Sequence, residues 1–142
     1  MPNQTINGDL NVTGSLLRSP IARFRQKAAV AKADAAAVLT AGEMINGLVV
    51  HTISTGRTLT TPTGAAISAG FPTTPVLGDS FFTYVITVGT GADDIATLTA
   101  GDGNVTFVGK VTVGPDTAAI SASAIFLFRC TAADTWVGYR VA

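Results

Sequence analysis

The residues that could do chemistry are few. His51 is the one histidine in 142 residues, Glu43 the one glutamate and Cys130 the one cysteine. A catalytic triad built on histidine needs partners placed on both sides of the imidazole, and a zinc site needs three or four ligands. Neither can be assembled within one chain from this inventory. His51 falls between Val50 and Thr52 in a stretch that reads as a strand, which makes it a structural histidine. Three copies meeting on a trimer axis are the one route left to a metal site. Glu43 stands three residues after Thr40, the spacing of a capping box, in which the threonine and glutamate side chains satisfy each other's free backbone N–H groups.

The remaining motifs are equally spare. Asp93, Asp94 and Asp102 flank glycine-rich stretches, but calcium wants several oxygens from one loop at EF-hand-like spacing, and that spacing is absent. Gly89-Thr90-Gly91 lacks the strand–loop–helix setting of a dinucleotide site and is followed by no Walker lysine. No Gly-x-Ser-x-Gly elbow occurs. Cys130 falls in strand phase with Phe128, which implies a buried, inert thiol. No cofactor is expected. The cluster that stands out is Arg23-Phe24-Arg25, an aromatic side chain between two guanidiniums, with Arg18 and Lys27 close by. It suits docking on an acidic protein surface, with Phe24 filling a pocket. Phosphate contact with base stacking is a second reading, and a solvated arm a third.

Composition narrows the field. Charged residues make up 13% of the chain, against about 25% in a typical soluble domain, and mean hydropathy is +0.43. Such a chain either crosses a membrane or covers much of its surface with other chains. No run approaches the roughly 20 apolar residues of a spanning helix, and the first residues show neither the basic nor the apolar region of a signal peptide. Subunit contact is therefore the expected reason for the low charge. Residues 1–34 carry five basic and two acidic residues, and residues 35–142 four basic and seven acidic. A basic arm on a mildly acidic body follows, and so small a basic cluster makes nucleic acid an unlikely main partner. The sequons at Asn3, Asn11 and Asn104 are read as chance in a threonine-rich chain.

These residues need elements to hold them. Asn7-Gly8 marks a tight turn between short β pieces at Ile6, Leu10 and Val12. Residues 18–37 are basic and then alanine-rich, an extended or partly helical linker. Residues 1–37 thus form an arm and 38–142 a body. In the body, Thr40 caps a short helical turn ended by Asn46-Gly47. Strands are expected over 48–53 and 57–60. A second short helix over 63–69 has Thr61 as cap, Pro62 in its first turn, and Gly70 as its end. From Asp79 onward the pattern is β, with strands over 80–88, 95–99, 105–108, 110–113, 118–130 and 136–141. Short strands with turn signals between them indicate a β-sandwich or barrel. With Phe82 and Phe126 pointing inward, Phe81, Val85, Ile125 and Leu127 would face outward and meet a neighbouring subunit; with the phase reversed, these swap.

Four runs carry a resemblance: Val-Leu-Thr-Ala-Gly-Glu-Met-Ile-Asn-Gly-Leu-Val-Val (38–50), Arg-Thr-Leu-Thr-Thr-Pro-Thr-Gly-Ala-Ala-Ile (57–67), Gly-Asp-Ser-Phe-Phe-Thr-Tyr-Val-Ile (78–86) and Val-Thr-Phe-Val-Gly (105–109). In this order they resemble small head-decoration and minor structural proteins of tailed phages and other large DNA viruses. Ile-Asn-Gly-Asp-Leu-Asn-Val-Thr-Gly (6–14) is similar to short repeats of phage fibre proteins. The resemblance implies an all-β, jelly-roll-like sandwich with an N-terminal arm. It also implies a homotrimer, made in the host cytoplasm, that cements the outer capsid of the virion by binding the major capsid protein. Arg18, Arg23, Phe24, Arg25 and Lys27 would then be capsid contacts. The rival reading is a head-fibre module that binds host glycan through Trp136 and Phe71; catalysis is not expected.

Overall fold

The computed structural model describes residues 27–114 and 121–142. Two sheets enclose a single apolar core, and the chain builds them by winding. Strands β1 (Val30–Lys32), β3 (Gly47–Thr52) and β5 (Ser80–Val88) stack in parallel in one sheet. Strands β2 (Ala37–Val38), β4 (Arg57–Thr60) and β6 (Ala96–Thr99) stack in parallel in the other. Each pass crosses from the first sheet to the second and returns, so like side chains fall into register. Val30, Val49 and Val85 form one ladder, and Ala37, Leu59 and Leu98 face them from the second sheet. β-branched and leucine side chains fill such a ladder because each lies over its like.

The remaining strands, β7 (Val105–Val108), β8 (Thr112–Val113), β9 (Ser121–Ala132) and β10 (Thr135–Arg140), finish both sheets. The first sheet runs β1-β3-β5-β9-β10-β7 and the second β2-β4-β6-β8. Helices α1 (Ala41–Met44) and α2 (Gly64–Ala69) lie in the returns that follow β2 and β4. The expected capping box is present, with Thr40 Oγ1 accepting from Glu43 N and Glu43 Oε2 from Thr40 N. Asn46 takes a left-handed conformation (φ 51°), and a Cβ on Gly47 would meet the Glu43 carbonyl. Asn46-Gly47 therefore sets the sharp exit from α1. Where the smaller sheet runs out, α2 and Phe71 cover the first sheet instead. Trp136 Nε1 donates to Ser68 Oγ at 3.2 Å, and Phe71 stacks on the indole.

Several sequence expectations change here. The chain is β-rich, but five of the eight strand pairings are parallel, whereas jelly rolls are built from antiparallel strands. Strand β1 and Ala37 of β2 fall within the expected arm and are already part of the sheets. The cap of α2 is Thr63, which accepts from Ala66 N, and not Thr61. Thr61 is buried and its hydroxyl accepts from Gly101 N. Among the described residues no helix is long and apolar enough to cross a membrane.

Candidate interaction surface

The inner side of the six-stranded sheet is the core. Phe81, Val85, Ala124, Phe126, Phe128 and Trp136 are each 2% exposed or less. Thr83 and Thr87 share that face, and their hydroxyls donate to the carbonyls of Met44 (2.9 Å) and Val113 (3.0 Å). Threonine is tolerated inside because each hydroxyl has an acceptor. Phe81 and Val85 are thus core residues and not the outward pair expected. Cross-strand register gives the reason: Phe82 lies opposite Leu127 and Phe81 opposite Phe128. Phe82 and Phe126 therefore point to opposite sides, and the assumption that both face inward fails for Phe82.

The outer side is also apolar. Leu48, Tyr84 and Ile125 form one row across it, and Phe82, Leu127, Tyr139 and Val108 the next. Phe82 is 41% exposed and Val108 55%; most of the others are half-buried by their own neighbours. Phe82 and Tyr84 lean on each other with ring centroids 6.4 Å apart. Arg129 is the sole charged side chain at the described outward strand positions of this sheet. The sheet mixes parallel and antiparallel pairings; a sheet face exposed to water normally presents polar residues, and these central rows do not. The helices pack from the inner side, through Met44 and Ser68. Ile125 and Leu127, expected at a subunit contact, do lie on this outer face; sequence reasoning missed Phe82 and Tyr84 for that role because it inverted the phase of β5, and Tyr139 because the pairing of β10 with β9 is not visible locally.

The other candidates are occupied by the fold. His51 is fully buried at the end of β3, and its Nε2 donates to the carbonyls of Ala33 and Ala35, both at 3.0 Å. Among the described residues its Nδ1 has no hydrogen-bond partner. In the same corner Asp34 accepts from Ser54 Oγ and from Arg57 Nε, the latter at 2.8 Å. The Ser54 hydroxyl, then Arg57, holds the Asp34 carboxyl down at about 2. Residues 33–36, the first turn of the coil, are thereby fastened to the second. Burial alone would raise the Glu43 carboxyl, but Lys32 (2.7 Å) and the Thr40 N–H outweigh it, and the net shift is downward.

Asp94 is buried with its carboxylate accepting from Thr90 N and Gly91 N, and Asp102 accepts from Gly64 N and Asn104 N. Both carboxylates hold turns. Cys130 is buried and its thiol faces the Ala132 carbonyl. Among the described residues no group of three His, Cys, Asp or Glu side chains is placed to hold a metal. Trp136 is fully buried, so it cannot form the face of a sugar site, and Phe71 spends one ring face on it. Lys27 donates to the Gly42 carbonyl at 2.9 Å. Arg18, Arg23, Phe24 and Arg25 lie outside the described residues.

Comparison with family models, with curated proteins and with solved structures gave no match.

Proposed function

We propose that this protein is a structural component that works by covering surface, and specifically a capsid decoration protein that binds the outside of a viral shell and stabilises it. The observation that carries the reading is the outer face of the six-stranded sheet. β5 has nine residues, about 30 Å at roughly 3.3 Å each, and six strands at about 4.8 Å spacing span a further 25–30 Å. Four of the other strands are shorter than β5, so the face is on the order of 600 Å², somewhat below the ~800 Å² that each partner contributes to a stable interface. Tyrosine and phenylalanine at its centre, with charge almost excluded, match the composition of an interface core.

The virion assignment rests on the sequence resemblance, and the face supports it by giving each copy something to assemble with. Self-association through this face, as a trimer, would present several basic arms at once. Later arm contacts then form within one complex, which strengthens binding without any new contact type. Arg18, Arg23 and Arg25 supply the positive charge for an acidic capsid surface. The glycan reading loses Trp136 to the core.

The test is binding of the purified protein to shells that lack it, read together with the temperature at which those shells rupture. Saturation at a fixed copy number with a raised rupture temperature is expected. Failure to bind shells at all would overturn the reading.

A further inference from the structure

The six-stranded sheet ends at β7, and among the described residues no strand pairs with its far edge. The other described sheet ends are blunted. β1 has three residues and finishes on Lys32, which is held by Glu43, and β2 and β8 have two residues each. Shortness and charge are the usual protection of an edge. β7 has neither: it runs Val105-Thr106-Phe107-Val108, without charge or proline, in residue types that favour strands. Thr106 and Val108 are exposed.

The hydrogen-bond phase of β7 follows from its partner. Trp136 lies opposite Val105 in the parallel β7–β10 pair, and Trp136 N donates to the Asn104 carbonyl at 2.8 Å. In a parallel ladder the residues of a strand turn their N–H and C=O alternately toward one neighbour and toward the other. Thr106 therefore spends both groups on β10, and Val105 and Phe107 turn theirs toward the open edge. Val105 N is taken by the Asp102 carbonyl at 3.3 Å. Phe107 thus presents a donor and an acceptor together. Its ring does not cover them: it lies inward over Gly138, where a Cβ would meet it, and packs edge-on against Phe126 and Phe128.

We propose that β7 pairs antiparallel with β7 of a second copy across a two-fold axis at Phe107. There the two Phe107 residues exchange both N–H···O bonds, as an antiparallel hydrogen-bonded pair does. Thr106 of each copy then stands opposite Val108 of the other. Val108, 55% exposed in the single subunit, gains a β-branched neighbour across the strands. The antiparallel sense also brings the Lys110 end of each strand to the Asp102 end of the other, so the flanking charges are opposite in sign. Two sheets become one, with both outer faces on the same side. The contact is the same patch on both copies, and it rests on the edge alone and not on the shell-binding reading.

The test uses the full-length protein carrying Leu127→Arg, whose added charge keeps association through the outer face out of the readout. Copies with Thr106→Cys are mixed with copies with Val108→Cys and mildly oxidised. A non-hydrogen-bonded antiparallel pair brings Cα atoms to about 4.5 Å, inside the range that a disulfide spans. The mixture should therefore give covalent dimers, and neither variant alone should. Cys130 is buried in every copy. No link in the mixture, or a link in either variant alone, overturns the proposal. As a second readout, with no substitution in β7, the Phe107 amide should exchange with solvent severalfold more slowly as protein concentration rises. The Thr106 amide, already bonded to β10, should not change. A Phe107 amide indifferent to concentration would also overturn it.

Discussion

Phe81 stacks on Phe128 across the β5–β9 pair, with ring centroids 5.2 Å apart and planes 9° from parallel. The indole of Trp136 meets the edge of the same pair, 5.4 Å from Phe81. One strand position away, Phe82 faces out. Adjacent phenylalanines therefore serve two surfaces, one buried in the core and one exposed.

Truncation of each should separate the two roles. Phe81→Ala should cost about 3–5 kcal/mol of stability, as for a buried aromatic whose site cannot collapse. Phe82→Ala should cost well under about 1 kcal/mol in the isolated subunit. Denaturant unfolding of both variants under dilute conditions measures this, and equal losses would contradict the assigned strand phase.

Charge placed on the outer face should block association without unfolding the chain. Leu127→Arg puts a second cation beside Arg129 at the centre of the apolar rows. Sedimentation should show a smaller species than wild type, and shell binding should fall with it. Near-native circular dichroism and melting are expected, since Leu127 contributes to the outer face and not the core.

His51→Ala should destabilise the chain by about 2–4 kcal/mol, through a buried cavity and two carbonyls that lose their donor. The damage should be local first. Amides of β1 and residues 33–36 should exchange with solvent faster than those of β5 and β9, and hydrogen exchange followed by mass spectrometry can resolve that gradient.

The Asp34 corner predicts an acid dependence. Its carboxyl titrates at about 2 in the fold, against 3.8 ordinarily. A group held below its unfolded value stabilises the fold fully above that value. The contribution is therefore present above about pH 3.8 and is lost as pH falls toward 2. Carboxyl titration by NMR should find the low value, and Arg57→Ala should raise it. Because Asp34 is more than one-third exposed, added salt should weaken the effect of Arg57.

Local structure was legible where one residue type had one physical use. The capping box at Thr40 and Glu43, the strand over 57–60 and the strand over 80–88 all stand where their residues place them. The large Phe126 and Phe128 set the phase of β9 correctly. On β5 the rule failed because Thr83 and Thr87 are the buried residues, satisfied by carbonyls that only the folded chain brings near. The alternation of strands between two parallel stacks was hidden too. Parallel partners such as Val49 and Val85 sit far apart in sequence, with β4 of the other sheet, α2 and loops between them, and nothing local announces their pairing. The outer face was half legible: Ile125 and Leu127 were placed there, but their aromatic companions were not.

The ladder of Val30, Val49 and Val85 makes this body a quasi-one-dimensional object for half its length. Stability in such a stack is a sum of terms for each turn and for each contact between neighbouring turns. Among the described residues the stack opens at β1 and β2, strands of three and two residues, and closes at the antiparallel return of β9 and β10. Length can therefore be gained or lost at the open end, one turn at a time, while the aromatic centre around Trp136 stays as it is. The number of turns in the stack can thus change without redesign of its core.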